Sequence, residues 1–297
     1  MEQTQSPALK GKVVLITGAN SGIGKETALA LARMKATVVM VARDSSKGKE
    51  AQKEIIESSG NKKVDLIVAD LASLDEVRAL AEEFKKRYEH LHVLINNAGG
   101  INYERTQTQD GFETTFGVNH LAHFLLTKLL LDVIKASAPS RIINVSSMAH
   151  RSGKMDFSDL MFKKKYSAYK AYSASKLANV LFTYELARRL KGTSVTVNAL
   201  HPGVVRTRFG KGSGSSGMKF AFALISPFLT SPQKGALTSI YLASSPEVEG
   251  VSGKYFSKSK PVDSNKISYD KDVAKQLWDI SERFVEHHGK QKVQDPD

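Results

Sequence analysis

Apolar and β-branched positions along this chain fall in short runs, separated by longer stretches in which apolar residues recur at a helical interval. The runs VVLIT (13–17), TVVMVAR (37–43), VDLIVAD (64–70), VLINNA (93–98), RIINVSS (141–147) and SVTVNALHP (194–202) read as strands, with GKYFS (253–257) a weaker seventh. Helices are predicted near 22–34, 46–59, 74–89, 112–136 and 169–190. Strand and helix in strict alternation predict an α/β fold, a doubly wound parallel sheet of about seven strands flanked by helices, in one domain over 1–297. In such a sheet ligands bind beyond the carboxyl ends of the strands, so the chemistry is expected just after each run.

Composition changes this picture little. A chain of 297 residues with 41% hydrophobic content can bury a full core, and no internal repeat is present. Cysteine is absent, which removes disulfides, thiolate nucleophiles and Cys-ligated metals. The eight histidines show no metal-ligand spacing, so no metal site is expected. The formal charge of +13 is spread through many segments and interleaved with acids, which argues for a solvated surface rather than a nucleic-acid partner. The N-terminal residues MEQTQSPALKGK hold no apolar core of a signal, and the longest nearly uncharged apolar stretch, MKFAFALISPFL (218–229), is too short to span a bilayer. The expectation is a soluble, cytoplasmic protein without a transmembrane segment.

The first strand leads into TGANSGIG, Thr17 to Gly24. Gly18, Gly22 and Gly24 allow a tight turn, close approach of backbone to a pyrophosphate and close packing of helix on strand, with Asn20, Ser21 and Ile23 between them at the helix N-terminus. The sheet is therefore expected to be of Rossmann type. The second strand ends in VARD, placing Ala42 where an NAD-preferring protein carries an acid, followed by Arg43, whose guanidinium suits a 2′-phosphate. Lys47 adds a donor, and NADP(H) is expected over NAD(H); the plain alternative is a surface pair of Arg43 with Asp44. Asp70, with Leu71 beside it at the end of the third strand, could hold the adenine amino group.

YSAYKAYSASK (166–176) repeats one pattern: Tyr166 precedes Lys170 by four residues, and Tyr172 precedes Lys176 by four. That spacing puts phenol and ammonium on one helical face, so either pair could act as an acid–base catalyst.

TGANSGIG, NNAG (96–99), NVSS (144–147), YSASK (172–176) and HPGVVRT (201–207) occur in the order found in short-chain dehydrogenases/reductases, and the chain resembles that family over about residues 10–290. Through VARD, VNHLAHFLLT, SKLANVLFTYELARRL and YLASSPEVEGVSGKYF it is similar to the retinol-dehydrogenase-like branch. The resemblance implies an oxidoreductase with Asn119, Ser147, Tyr172 and Lys176 as catalytic tetrad. Tyr172 would be acid in carbonyl reduction and base in alcohol oxidation, its phenol pKa lowered by Lys176 and by the oxidised nicotinamide. Ser147 would donate to the substrate oxygen, Lys176 would also hold the nicotinamide ribose, and Asn119 would position a water. Asn97, Ala98 and Gly99 would wall the cofactor; Pro202, Gly203, Val205 and Thr207 would pass the nicotinamide, with Thr207 on its carboxamide. Tyr166 lies outside the well-patterned region, so its pair with Lys170 is taken as a decoy, with Tyr166 and Tyr169 at the substrate mouth.

GKGSGSSG (210–217) followed by the apolar 218–229 reads as a hinged lid over a lipophilic carbonyl or alcohol, a retinal-like compound among them, with peripheral membrane contact the other use of that face. Anchored retinol dehydrogenases carry an N-terminal hydrophobic segment that is not seen here. A flexible tail is expected at 289–297, and helices 112–136 and 169–190 are either subunit faces of a homo-oligomer or covered within the chain. The alternative to an enzyme is a cofactor-binding scaffold or redox sensor whose turnover does not matter.

Overall fold

The structure is a computed structural model; it describes residues 9–203 and 230–291, the side chains only as far as 286. Strands β1 (Val13–Thr17), β2 (Thr37–Ala42), β3 (Val64–Val68), β4 (Val93–Asn96), β5 (Ser140–Val145), β6 (Val195–His201), β7 (Lys254–Ser257) and β8 (Lys260–Pro261) form one sheet in the order β3-β2-β1-β4-β5-β6-β7-β8. All neighbours are parallel except β7 and β8. The fold is the Rossmann-type α/β sheet, with eight strands among the described residues rather than seven. The eighth strand is two residues long and is joined to β7 through Lys258 and Ser259, both at positive φ (50° and 59°). Neither residue is a usual turn former for that conformation, so the sequence carries no hairpin signal there.

The helices are α1 (Gly22–Arg33), α2 (Ser45–Ser59), α3 (Leu74–Arg87), α4 (Thr114–Ala136, with a π turn over Gly117–Leu121), α5 (Ala168–Arg189), α6 (Pro232–Ser244) and α7 (Lys271–Gln291). Period-2 alternation divides the strands between two cores. Leu15, Val39, Val41 and Leu94 join α3, α4, α5 and α7 on one face, while Val14, Ile16, Val38, Met40 and Ile95 join α1, α2 and α6 on the other.

α6 and α7 lie beyond the five helices read from the pattern. Ser231 caps α6 by accepting from the Lys234 N–H at 3.3 Å, with Pro232 opening the helix. α7 lays Ala274, Leu277, Trp278, Ser281 and Val285 against the core, with Trp278 edge-on to Phe124 of α4 at 4.9 Å and beside Phe182 of α5 at 5.8 Å. α7 thus covers the apolar faces of α4 and α5 at Phe124 and Phe182. It continues to Gln291, three residues into the expected tail, because one glycine, Gly289, costs a helix only about 1 kcal/mol. Thr114–Ala136 is long and apolar enough to cross a membrane, but 67% of its apolar window is buried here, as a core helix requires. The expected lid at 210–229 lies outside the described residues.

Candidate active site

The order of the strands reverses between β1 and β4, and the glycine loop fills the gap above them. Gly18 and Gly22 hold φ of 65° and 56°, a region costly for other residues. A Cβ on Gly24 would lie 2.2 Å from the Gly18 carbonyl oxygen, whereas one on Gly22 would meet nothing within 4 Å. The loop is therefore tight underneath and open above. Ser21 makes no side-chain cap bond to α1, while Asp44 and Ser73 cap α2 and α3, so the first amides of α1 are left without a side-chain cap. Asn97 braces the loop from below, its amide donating to the carbonyls of Thr17 at 2.8 Å and Gly18 at 3.3 Å. Ile23 is half-buried at the start of α1. These features fit a dinucleotide pyrophosphate above the loop.

At the end of β2, Ala42 is buried and Arg43 exposed. Arg43 does not pair with Asp44. Asp44 accepts from the Lys47 N–H at 3.0 Å and pairs with its ammonium at 2.7 Å, and these bonds hold its carboxyl below the usual range. Lys47 is thus engaged locally, and Arg43 has no ion pair among the described residues. Asp70 turns one carboxylate oxygen to the Ala72 N–H at 3.0 Å, and Leu71 packs in the core.

The four proposed catalytic side chains converge over β4 and β5. Asn119 lies in the π turn of α4, fully buried. Its amide oxygen accepts from Gly100 N–H, and its nitrogen donates to Gly100 O and to Ser175 Oγ, each at 2.9 Å. Ser175 Oγ in turn donates to the Tyr172 carbonyl at 2.8 Å, tying the two helices together. Lys176 donates to the Val145 carbonyl at 3.0 Å, and its Nζ lies 5.7 Å from the Tyr172 ring centre. Burial without a carboxylate partner lowers its pKa to about 8. Ser147 ends the β5 run, and its hydroxyl accepts from Ala149 N–H at 3.2 Å. A Cβ on Gly99 would stand 2.8 Å from Asn119 Oδ1 and 3.2 Å from Lys176 Nζ, so only glycine leaves this wall clear.

In the protein alone the Tyr172 phenol lies above the usual tyrosine value; the expected lowering includes the charge of an oxidised nicotinamide and belongs to the cofactor complex. Burial pushes the phenol's pKa up, and the hydrogen bond with Ser147 opposes that only in part.

The two Tyr/Lys pairs of 166–176 have different surroundings. The Tyr166 hydroxyl donates to the Asn102 carbonyl at 2.6 Å and faces Glu113, and burial and that carboxylate raise its pKa. Lys170 is exposed. Tyr169 is 56% exposed and bonded to Ser152 at 3.0 Å. Pro202 and Gly203 follow β6, with the Gly203 N–H donating to His201 Nδ1 at 2.9 Å; Val205 and Thr207 lie outside the described residues. Among the described residues no group of three or more His, Asp or Glu could hold a metal ion.

The family model described as short chain dehydrogenase matches residues 12–216. The chain belongs to the short chain dehydrogenases. It is 50% identical over 289 residues to retinol dehydrogenase 14 of Mus musculus, covering 93% of this chain and 86% of that one. It is 48% identical to retinol dehydrogenase 13 of Homo sapiens over 282 residues, covering 93% and 85%. Among solved structures, an uncharacterized protein from Mycobacterium paratuberculosis superposes with a TM-score of 0.76 at 35% identity, covering 93% and 94%. The Pseudomonas aeruginosa RhlG/NADP active-site complex does so with 0.68 at 26%, covering 86% and 97%.

This short chain dehydrogenase has supporting residues that sequence reasoning passed over. Ser175 stood inside YSASK, and its position one residue before Lys176 was the only signal. His150 donates from Nδ1 to the Ser147 carbonyl at 2.6 Å, and its Nε2 accepts from Asn265 N–H at 3.1 Å, clamping the serine loop from a segment more than a hundred residues away. Thr17 and His123 form a further link, at 2.9 Å between hydroxyl and ring nitrogen. No spacing in the sequence announces contacts of this range.

Proposed function

We propose that this chain is an NADP(H)-dependent oxidoreductase that interconverts an apolar aldehyde or ketone with its alcohol. One observation carries the reading: a phenol hydrogen-bonded to Ser147, with an ammonium on the same helix face, beside a glycine wall that leaves room for a flat ring. When bound, the nicotinamide supplies or accepts the hydride. Tyr172 Oη gives a proton to the carbonyl oxygen in reduction and takes it back in oxidation, while Ser147 Oγ donates to the same oxygen as charge builds there. Lys176 favours the phenolate electrostatically, and Asn119 fixes the helix that carries both through Ser175.

Arg43, exposed and without an ion pair among the described residues, is the group for a 2′-phosphate. The likeness of the fold to the RhlG/NADP complex supports that choice of cofactor. The retinol dehydrogenases to which the chain is similar point to a lipophilic alcohol or carbonyl as substrate.

The test is NADPH consumption against a panel of aliphatic, aromatic and polyene carbonyls. Tyr172→Phe should abolish turnover and leave NADPH binding nearly intact, and Tyr166→Phe should keep most activity. The reverse ranking, or no consumption with any carbonyl, refutes the reading.

A further inference from the structure

His123 is fully buried on α4, one helical turn after Asn119, and both of its ring nitrogens are used. Nδ1 lies 3.1 Å from the Asn119 main-chain carbonyl and Nε2 lies 2.9 Å from Thr17 Oγ1. A carbonyl only accepts, so the proton is on Nδ1. Thr17 Oγ1 already accepts from Asn97 N–H and Ala98 N–H, each at 2.9 Å, which uses both lone pairs. Its own hydrogen is therefore free for Nε2, since the other acceptor, Ile95 O, is at 3.5 Å. The result is a directed chain with every hydrogen assigned: the amides of Asn97 and Ala98 to Thr17, Thr17 to His123, and His123 to the Asn119 carbonyl. It requires a neutral imidazole, and burial provides one, lowering the ring's pKa to about 4.

We infer that His123 is a positioning residue that sets the glycine wall after β4 against the catalytic π turn of α4. The two ends of the chain belong to different tasks. Asn97 and Ala98 lead into Gly99, where a cofactor ring would rest; Asn119 belongs to the turn that carries the acid–base machinery through Ser175. The inference rests on the functional reading above for which end governs turnover. An apolar ring of similar size would leave the buried Thr17 hydroxyl without an acceptor and the Asn119 carbonyl without this donor, so the chain depends on an imidazole whose two nitrogens have opposite roles.

The test separates the two ends. In His123→Asn the shorter amide takes the place of Nδ1 and keeps the bond to Asn119, losing Thr17; in His123→Gln the longer amide reaches Thr17 and loses Asn119. Kd for NADPH by fluorescence titration and kcat with the best carbonyl are measured alongside the melting temperature. We expect His123→Asn to raise the NADPH Kd roughly tenfold with kcat nearly unchanged, and His123→Gln to lower kcat by about the same factor with Kd nearly unchanged. Thr17→Ser, which keeps the hydroxyl, should resemble the unaltered protein. Thr17→Val should raise Kd, and adding His123→Asn to it should raise Kd no further, because the shared bond is already gone. Parallel losses of Kd, kcat and melting temperature in both His123 variants, or multiplying losses in the double variant, overturn the inference. If the unaltered chain turns over no carbonyl, the functional reading fails, and the Kd comparison of the Thr17 and His123 variants still decides the clamp.

Discussion

Gly99→Ala tests the wall of the site where geometry leaves least room. The added methyl would stand 2.8 Å from Asn119 Oδ1, more than half an ångström inside ordinary contact, and 3.2 Å from Lys176 Nζ. Neither neighbour yields freely. The Asn119 amide is held by three bonds of 2.9 Å, to Gly100 N, Gly100 O and Ser175 Oγ, and Lys176 is held by Val145 at 3.0 Å. Withdrawing Oδ1 gives up the bond from Gly100 N–H, worth about 1–3 kcal/mol in a buried setting, and overpacking adds about 1–3 kcal/mol. Even the low end of that sum, about 2 kcal/mol felt at the reacting centre, lowers kcat/KM roughly thirtyfold. The same loss felt only as global stability lowers the melting temperature by a few degrees. Steady-state kinetics and a melting curve of the same preparation separate the two. The expected result is a fall of at least roughly thirtyfold in kcat/KM with a small change in melting temperature. Unchanged kinetics would mean that Asn119 and Lys176 move aside without consequence, and their close placement would then have no catalytic role.

Arg43→Ala should weaken NADPH by roughly ten- to a hundredfold, the worth of one charge-assisted contact, and weaken NADH little; adding Ala42→Asp should reverse the preference, with Kd values for both cofactors as the measurement. Equal weakening of the two would make Arg43 an ordinary surface charge. Lys176 gives a pH prediction for the ligand-free protein. Its folded pKa of about 8 lies below the unfolded value near 10.5, so between these the unfolded chain holds more protons and stability rises with pH. Below about 8 both states are charged, the slope vanishes and the burial cost of roughly 3 kcal/mol is fully felt. Lys176→Met should therefore stabilise the apoprotein at neutral pH and remove the rise between pH 8 and about 10, above which the raised tyrosines act in the opposite sense; denaturant titrations across that range check it.

Seven strands of the parallel ladder were legible in the amino-acid pattern, to within two residues at most ends, because β-branched runs buried on both faces have no other stable use. So was the glycine loop, whose open upper face and crowded underside follow from missing Cβ atoms. Tyr172 and Lys176 could be read as partners, since spacing of four residues on one helix fixes their relation before any tertiary contact forms. The rest depends on packing between elements distant in the chain. The pairing of Asp44 with Lys47 rather than with Arg43 was not legible, because it depends on Asp44 capping α2, which brings Lys47 one turn along beside it. The upward push of burial on the Tyr172 phenol was not legible, since burial depends on how α5 is covered and not on its neighbours in sequence. That α7 lays Trp278 over Phe124 of α4 and Phe182 of α5 could not be read from the pattern, because it depends on where the C-terminal helix docks. The link from Thr17 through His123 to Asn119 spans β1, β4 and α4, and only the sheet order, which sets β1 beside β4, brings those three segments within hydrogen-bond reach.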